Sequence, residues 1–247
     1  MTRKQQYPSF GDAAPPKGGR FSLARGGQLQ PLYGRRKPVT LRPLGKGQFA
    51  RAFVTTSLKT PYVLSFVESD SRDQTKEIYA LICQYASRRD KHLPCMERVG
   101  WYESGRKGYT IFAMPLYRAP LRKTTAPKAY AQAKVLAKCL EEAWAIHRRK
   151  HGGSTGASIR DMYYDSQSLN QQVVKCARRN KLPGALVSSL KTLADESVNF
   201  GATYVFEFPM RNMGSDDKGN LILFDVIFDG YENYLSAMRK QKLRRGW

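Results

Sequence analysis

The stretch Leu44-Gly45-Lys46-Gly47-Gln48-Phe49-Ala50-Arg51-Ala52-Phe53-Val54 decides how this chain is read. Two glycines two apart lead into an aromatic residue and then into a run of alternating character. Glycine lets a backbone approach phosphate oxygens closely, and the exposed N–H groups of such a loop can bind them. A simple hairpin turn uses the same residues, so the segment alone leaves both readings open.

Working outward, residues 39–44, 48–55 and 62–68 are rich in β-branched and aromatic side chains and are bounded by Gly, Pro and Lys. They predict a meander of short strands. Residues 72–88 place Ile78, Leu81, Ile82 and Tyr85 at three- and four-residue spacing, which predicts an amphipathic helix. Strands are expected at 97–103 and 109–115, with a Gly- and Lys-containing turn between them. Helical spacing then dominates over 128–149, 167–180 and 184–199, interrupted by a Gly-rich break at 151–156. Two apolar strands, 203–208 and 221–228, are expected to form a hairpin around the polar turn 214–220. A strand-rich half followed by a helix-rich half predicts an α+β protein with two lobes, over residues 39–117 and 118–238.

Composition bounds the function. Of 247 residues, 42 are Lys or Arg and 20 are Asp or Glu, a formal net charge of +22. Such a field draws in nucleic acid or acidic protein surfaces and says nothing about fold. Residues 1–38 hold basic side chains without apolar periodicity and read as a flexible arm; 239–247 form a basic tail. Both ends serve either as solubilising charge or as a clamp on an acidic partner. Hydrophobic residues make up 41 % of the chain, which excludes a wholly disordered protein. No run reaches the roughly 18 apolar residues that span a bilayer. Residues 1–10 lack the apolar core of a secretory signal, so a cytoplasmic protein is expected.

Cys83, Cys95, Cys139 and Cys176 lie far apart with no CxxC pair, and are expected to be reduced, half-buried thiols. His92, His147 and His151 show no metal-ligand spacing and are expected to be structural or solvent-facing. Neither a zinc finger, an RNA-recognition aromatic pair nor a helix-turn-helix is visible.

The second informative segment is Glu207-Phe208-Pro209-Met210-Arg211-Asn212, followed by Leu221-Ile222-Leu223-Phe224-Asp225. A carboxylate, an amide five positions on and a second carboxylate beyond a hairpin strand suit magnesium, which takes oxygen ligands and shares them with substrate phosphates. Asn212 and Asp225 could meet around one ion, and Glu207 could accept a hydroxyl proton. The bland alternative makes Asn212 a turn cap and Asp225 the end of a surface strand.

In their order along the chain, the two segments resemble the protein kinases, with a Gly-rich loop, a helix bearing a carboxylate, a catalytic loop and a metal-binding Asp. The chain looks most like the early, host-shut-off protein kinases of short-tailed bacteriophages, loosely over residues 44–229. In that family too the metal Asp lacks a following Phe-Gly, as Asp225-Val226-Ile227 does here. The resemblance implies a bilobal protein-kinase-like fold with a small antiparallel-sheet N-lobe and a mainly helical C-lobe. It implies ATP and magnesium as cofactors, with Gly45, Lys46, Gly47, Arg51 and Glu77 at the nucleotide, Asn212 and Asp225 at the metal, and Glu207 and Arg211 at the catalytic loop.

The departures from that pattern bear on activity. The third-strand lysine that grips the α- and β-phosphates falls on Ser65, whose hydroxyl carries no charge. The catalytic Asp is replaced by Glu207, one methylene longer, and a misplacement of about 1 Å can cost on the order of a hundredfold in rate. Lys46 or Arg51 could supply the missing charge, and Arg211 could touch the γ-phosphate. Two functions follow. One is an ATP- and magnesium-dependent Ser/Thr phosphotransferase, of weak or lost activity, acting on host proteins. The other is a catalytically silent kinase fold that binds an acidic host protein or a nucleic-acid complex through its basic surface. A small-molecule kinase of the aminoglycoside type shares the same elements.

Overall fold

The computed structural model describes residues 20–24, 28–31, 39–46, 50–56, 61–68, 74–86, 90–104, 107–150, 166–200 and 204–229. The chain is an α+β protein, and its described residues fall into two compact units. The first holds the residues up to 86 together with 94–116, and the second holds 90–93 together with 117–229.

The first unit is built on strands β1 (Arg20–Ala24), β2 (Gln28–Pro31), β3 (Val39–Lys46), β4 (Ala50–Thr55), β5 (Tyr62–Glu68), β6 (Glu97–Ser104) and β7 (Lys107–Pro115). They close into a barrel in the order β1-β2-β3-β4-β5-β7-β6. Every pairing is antiparallel except the closing one, where Arg20 and Phe21 of β1 run parallel to Trp101 and Tyr102 of β6. Strand side chains alternate between faces, and β5 shows the consequence. Tyr62, Leu64 and Phe66 join Leu41, Val99, Tyr109, Ile111 and Ala113 in one apolar cluster, with Phe53 packed against it. Phe53 meets Phe66 edge-on at 5.3 Å between ring centroids. The intervening residues Val63, Ser65 and Val67 project from the other face, together with their cross-strand partners Met114, Phe112 and Thr110. Helix α1 (Thr75–Ala86) buries Ile78, Tyr79, Ile82 and Cys83, one stripe at helical spacing.

Residues 1–38 contain more order than the absence of apolar periodicity predicted. β1 and β2 pair as a hairpin within that span; residues 1–19, 25–27 and 32–38, like the tail at 239–247, lie outside the described residues. Phe21 and Leu23 alternate with Ser22 over a span too short for periodicity to stand out.

The second unit contains α2 (Pro127–Lys150), α3 (Ser166–Arg179) and α4 (Gly184–Phe200). Leu136, Cys139, Ala143 and His147 of α2, Leu169, Val173 and Ala177 of α3, and Leu186, Leu190 and Leu193 of α4 are buried. Past the helices come β8 (Tyr204–Phe206), a one-turn 3-10 helix at Met210–Asn212, β9 (Met213–Ser215), β10 (Leu221–Leu223) and β11 (Ile227–Asp229). β8 pairs with β11 and β9 with β10, both antiparallel. The single hairpin expected from 203–208 and 221–228 is therefore replaced by two small sheets, one nested inside the other in sequence. An unbroken apolar run cannot show where the chain changes partner, and the change falls at Phe224–Val226.

The cysteines also differ from expectation. Cys139 of α2 and Cys176 of α3 are joined as a disulfide with Cα atoms 5.5 Å apart. Cys83 is buried and Cys95 exposed, both unlinked. Among the described residues no helix is long and apolar enough to cross a membrane.

Candidate functional site

The Glu207 carboxylate, the Asn212 amide and the main chain of Asp225 come together in the second unit. β8 delivers the chain to Glu207, whose N–H donates to the Val226 carbonyl at 2.8 Å as the last rung beside β11. The chain then turns through Pro209 into Met210–Asn212, and the Asn212 N–H donates to the Pro209 carbonyl at 2.9 Å. After the β9–β10 hairpin it returns through Phe224, whose N–H donates to the Asn212 carbonyl at 2.9 Å. Asn212 thus sits where the two small sheets meet.

Its side chain ties the group together. Nδ2 donates to Glu207 Oε1 at 3.0 Å and to the main-chain oxygen of Asp225 at 2.6 Å. Both amide hydrogens are engaged, and the planar amide turns Oδ1 the other way. Glu207, Asn212 and Asp225 are all half-buried, whereas Arg211 beside them is exposed. Asn212 Oδ1 and the Asp225 carboxylate are hard oxygens of the kind magnesium takes beside phosphate, but what joins the two residues is the Asp225 main-chain oxygen. Among the described residues no three His, Cys, Asp or Glu side chains converge as a metal cluster.

Several positions that sequence reading passed over hold this junction in place. Asn170 of α3, buried, donates from Nδ2 to the Tyr204 carbonyl at 2.9 Å and accepts the Phe206 N–H at Oδ1 at 3.0 Å. On β10, the Leu223 N–H donates to the His92 carbonyl at 2.8 Å, and the buried His92 ring hydrogen-bonds through Nδ1 to the Leu221 carbonyl at 2.7 Å. Asp90 anchors that segment, its Oδ1 accepting the N–H groups of His92 and Leu93 and the hydroxyl of Ser189. On β9, Gly214 leaves no room for a side chain. A Cβ there would stand 2.6 Å from the Arg118 carbonyl and 2.7 Å from the Phe224 ring. Such long-range partners leave no local signal; only the type of buried residue, Asn or His, hinted at a hydrogen-bonding duty.

In the first unit, Gly45 and Lys46 lie in β3 opposite Ala52 and Arg51 of β4. Gly47, and with it the loop at 47–49, lies outside the described residues. Arg51 is exposed and stands opposite Phe66, whereas Ala52 stands opposite Ser65. Arg51 and Ser65 therefore project from opposite faces of the sheet. Glu77 of α1 receives the hydroxyl of Thr110, with Thr110 Oγ1 3.0 Å from Glu77 Oε1. Thr110 shares its face with Ser65, so the Glu77 carboxylate of α1 meets the face of the sheet that carries Ser65. No family model matches this chain, and no curated protein is similar to it.

Proposed function

We propose that this chain is a protein-kinase-like phosphotransferase whose activity is weak or lost. One observation carries the reading. The Asn212 amide joins the Glu207 carboxylate to the main chain of Asp225, gathering a base candidate and two metal-ligand candidates from within residues 207–225.

In this reading Glu207 accepts the proton of a substrate hydroxyl, and Arg211 offers charge to a phosphate from the same loop. Asn212 and Asp225 hold magnesium, which when bound neutralises charge on the nucleotide phosphates. Gly45 and Gly47 keep the phosphate-covering role that the sequence suggests, with Gly47 outside the described residues. Glu77 takes the place of the helix carboxylate, with Thr110 rather than lysine as its partner. With Ser65 uncharged, Arg51 on the far face and Lys46 in register with Arg51, the lysine's work goes undone, which supports low activity. The bilobal kinase-like architecture, the likeness to the phage host-shut-off kinases and action on host proteins in the host cytoplasm belong to the same proposal.

The test uses the full chain, ATP and magnesium. A rise in melting temperature, with labelled phosphate transferred to an acceptor protein and both effects abolished by Asp225→Ala, is the expected result. No thermal shift and no transfer sinks the ATP-dependent reading.

A second reading, a silent kinase fold acting through its basic surface, is favoured by the second unit's helices. Lys134, Lys138, Lys175, Arg178 and Lys181 are exposed there. It predicts capture of an acidic protein or a nucleic-acid complex that survives Asp225→Ala and falls steeply as salt rises. Binding flat in salt removes it.

A further inference from the structure

The disulfide between Cys139 and Cys176 links two helices, and one of them holds the strand that leads to Glu207. Cys176 lies six residues from Asn170 on α3, and Asn170 grips β8 on both sides of Val205, at Tyr204 O and Phe206 N. β8 in turn passes directly into Glu207, whose N–H is held by Val226. A continuous path of covalent and hydrogen bonds therefore runs from α2, through the sulfur pair and α3, to the carboxylate loop. All of it lies in one unit.

The sulfur pair is bordered by polar and charged groups. Cys139 is 1 % exposed and Cys176 5 % exposed, so Cys176 is the more accessible sulfur. Asn180 Nδ2 lies 3.3 Å from Cys176 Sγ and 3.8 Å from Cys139 Sγ. Arg179 Nη2 lies 3.6 Å from Cys176 Sγ and also pairs with Glu142 of α2, whose Oε2 lies 3.4 Å from the same sulfur. The thiolate is the form that attacks disulfides, and Cys176, the more accessible sulfur, is the one placed to attack first.

We infer that the Cys139–Cys176 pair is a reversible redox link that sets the rigidity of the β8–Glu207 strand through α3 and Asn170. The oxidant is a small-molecule disulfide of the glutathione type. The Cys176 thiolate attacks one sulfur of that disulfide, forming a mixed disulfide and releasing one thiol. Cys139 then attacks the Cys176 sulfur and releases the second thiol. Two electrons leave the protein, and its two thiol protons end on the two released glutathione molecules. Reduced glutathione runs the steps backwards. The inference holds whether or not the chain transfers phosphate.

The full chain is equilibrated in oxidised and in reduced glutathione, alkylated, and read by mass spectrometry alongside amide hydrogen exchange. A peptide pair linked through Cys139 and Cys176 in the oxidised sample, lost in the reduced one, is expected. With it, the Phe206 and Glu207 amides should exchange about tenfold more slowly when the link is closed, since local opening then requires α3 to move with α2. Cys139→Ser should exchange at the reduced rate in both buffers. Full alkylation of both cysteines after oxidation overturns the link. Equal exchange in the two states overturns the coupling, and so does a Cys139→Ser protein that still slows in the oxidised buffer.

Discussion

Thr110 on β7 donates its hydroxyl to Glu77 on α1 at 3.0 Å, tying the helix to the face of the sheet that also carries Ser65. Ser65, two positions from Thr110's cross-strand partner Val67, is on the same face and carries no charge. A neutral hydroxyl holds the carboxylate in place without neutralising it. Thr110 thus docks the helix; in the proposed kinase-like reading, gripping of phosphate is a separate task that Ser65 leaves without a cation.

Thr110→Val should accordingly loosen α1 while leaving the barrel intact. The substitution keeps the shape and removes a buried donor to a charged acceptor, a loss of about 1.5–3 kcal/mol. Chemical denaturation with a probe in the first unit measures it. Faster amide exchange along Ile78–Cys83, with exchange in β5 unchanged, is the accompanying signature. Unchanged stability would show that the bond contributes nothing to helix docking.

Ser65→Lys tests the other half of the separation. It places an ammonium group on the face that Glu77 already addresses, where an opposite charge pairs with it. The variant should bind ATP with magnesium more tightly than the parent chain, by roughly tenfold for an added charge-assisted contact. Isothermal titration is the measurement. An equal or weaker affinity would mean that this face does not meet the phosphates.

Tyr62 gives the first unit a dependence on alkali. Its phenol belongs to the barrel's apolar cluster, and burial raises its pKa well above the ordinary tyrosine range. The folded state therefore binds this proton more tightly than the unfolded state. The associated stability is complete below the unfolded-state value of about 10 and is lost progressively above it. Tyr62→Phe cannot lose that proton, so melting curves from pH 9 to about 11.5 should fall less steeply for the variant than for the parent. Parallel slopes would exclude Tyr62 as the titrating group.

Gly214 is a steric test of the nested sheets. An alanine Cβ there would meet the Arg118 carbonyl at 2.6 Å and two atoms of the Phe224 ring at 2.7 and 2.8 Å. The ring can tilt, but the carbonyl belongs to the bridge in which Arg118 and Ser215 exchange N–H···O bonds of 2.9 and 3.0 Å. Overpacking of this kind costs about 1–3 kcal/mol. Gly214→Ala should lower the melting temperature of the second unit. A neutral result would mean that the Arg118 segment shifts freely.

How much of this was legible in the sequence depends on the range over which each feature is determined. Tyr62–Glu68 forms a strand with the expected bounds because alternation over its whole length is a local signal. The helices show their apolar stripes for the same reason. Gly214 and Ser215 read as the start of the polar turn 214–220 yet belong to β9, because its partner β10 and the Phe224 ring impose the strand from outside. The cysteines 37 positions apart, Asn170 reaching Tyr204, and His92 reaching Leu221 are pairings that no spacing rule encodes. The Glu207, Asn212 and Asp225 group was visible only as residue types in a suggestive order; what joins them is Asn212's amide, whose two donors no linear pattern specifies.

Asn212 is where that geometry can be broken most economically. Asn212→Asp keeps the size of the side chain and removes both donors. The Glu207 carboxylate and the Asp225 carbonyl then face a second carboxylate where an N–H group had been. Repulsion between two acids in a half-buried site favours protonation of one of them, so the variant's stability should fall as pH rises from 4 to about 7. Asn212→Ala removes the donors without adding charge and should lose about 1–3 kcal/mol with no such pH dependence. Comparing the two by urea denaturation across that range separates lost hydrogen bonds from added charge. If magnesium restores the aspartate variant at neutral pH and does nothing for the alanine variant, the ion binds at this junction and the carboxylates are its ligands. If magnesium leaves both unchanged, the junction is a structural tie and the metal-dependent reading loses its anchor.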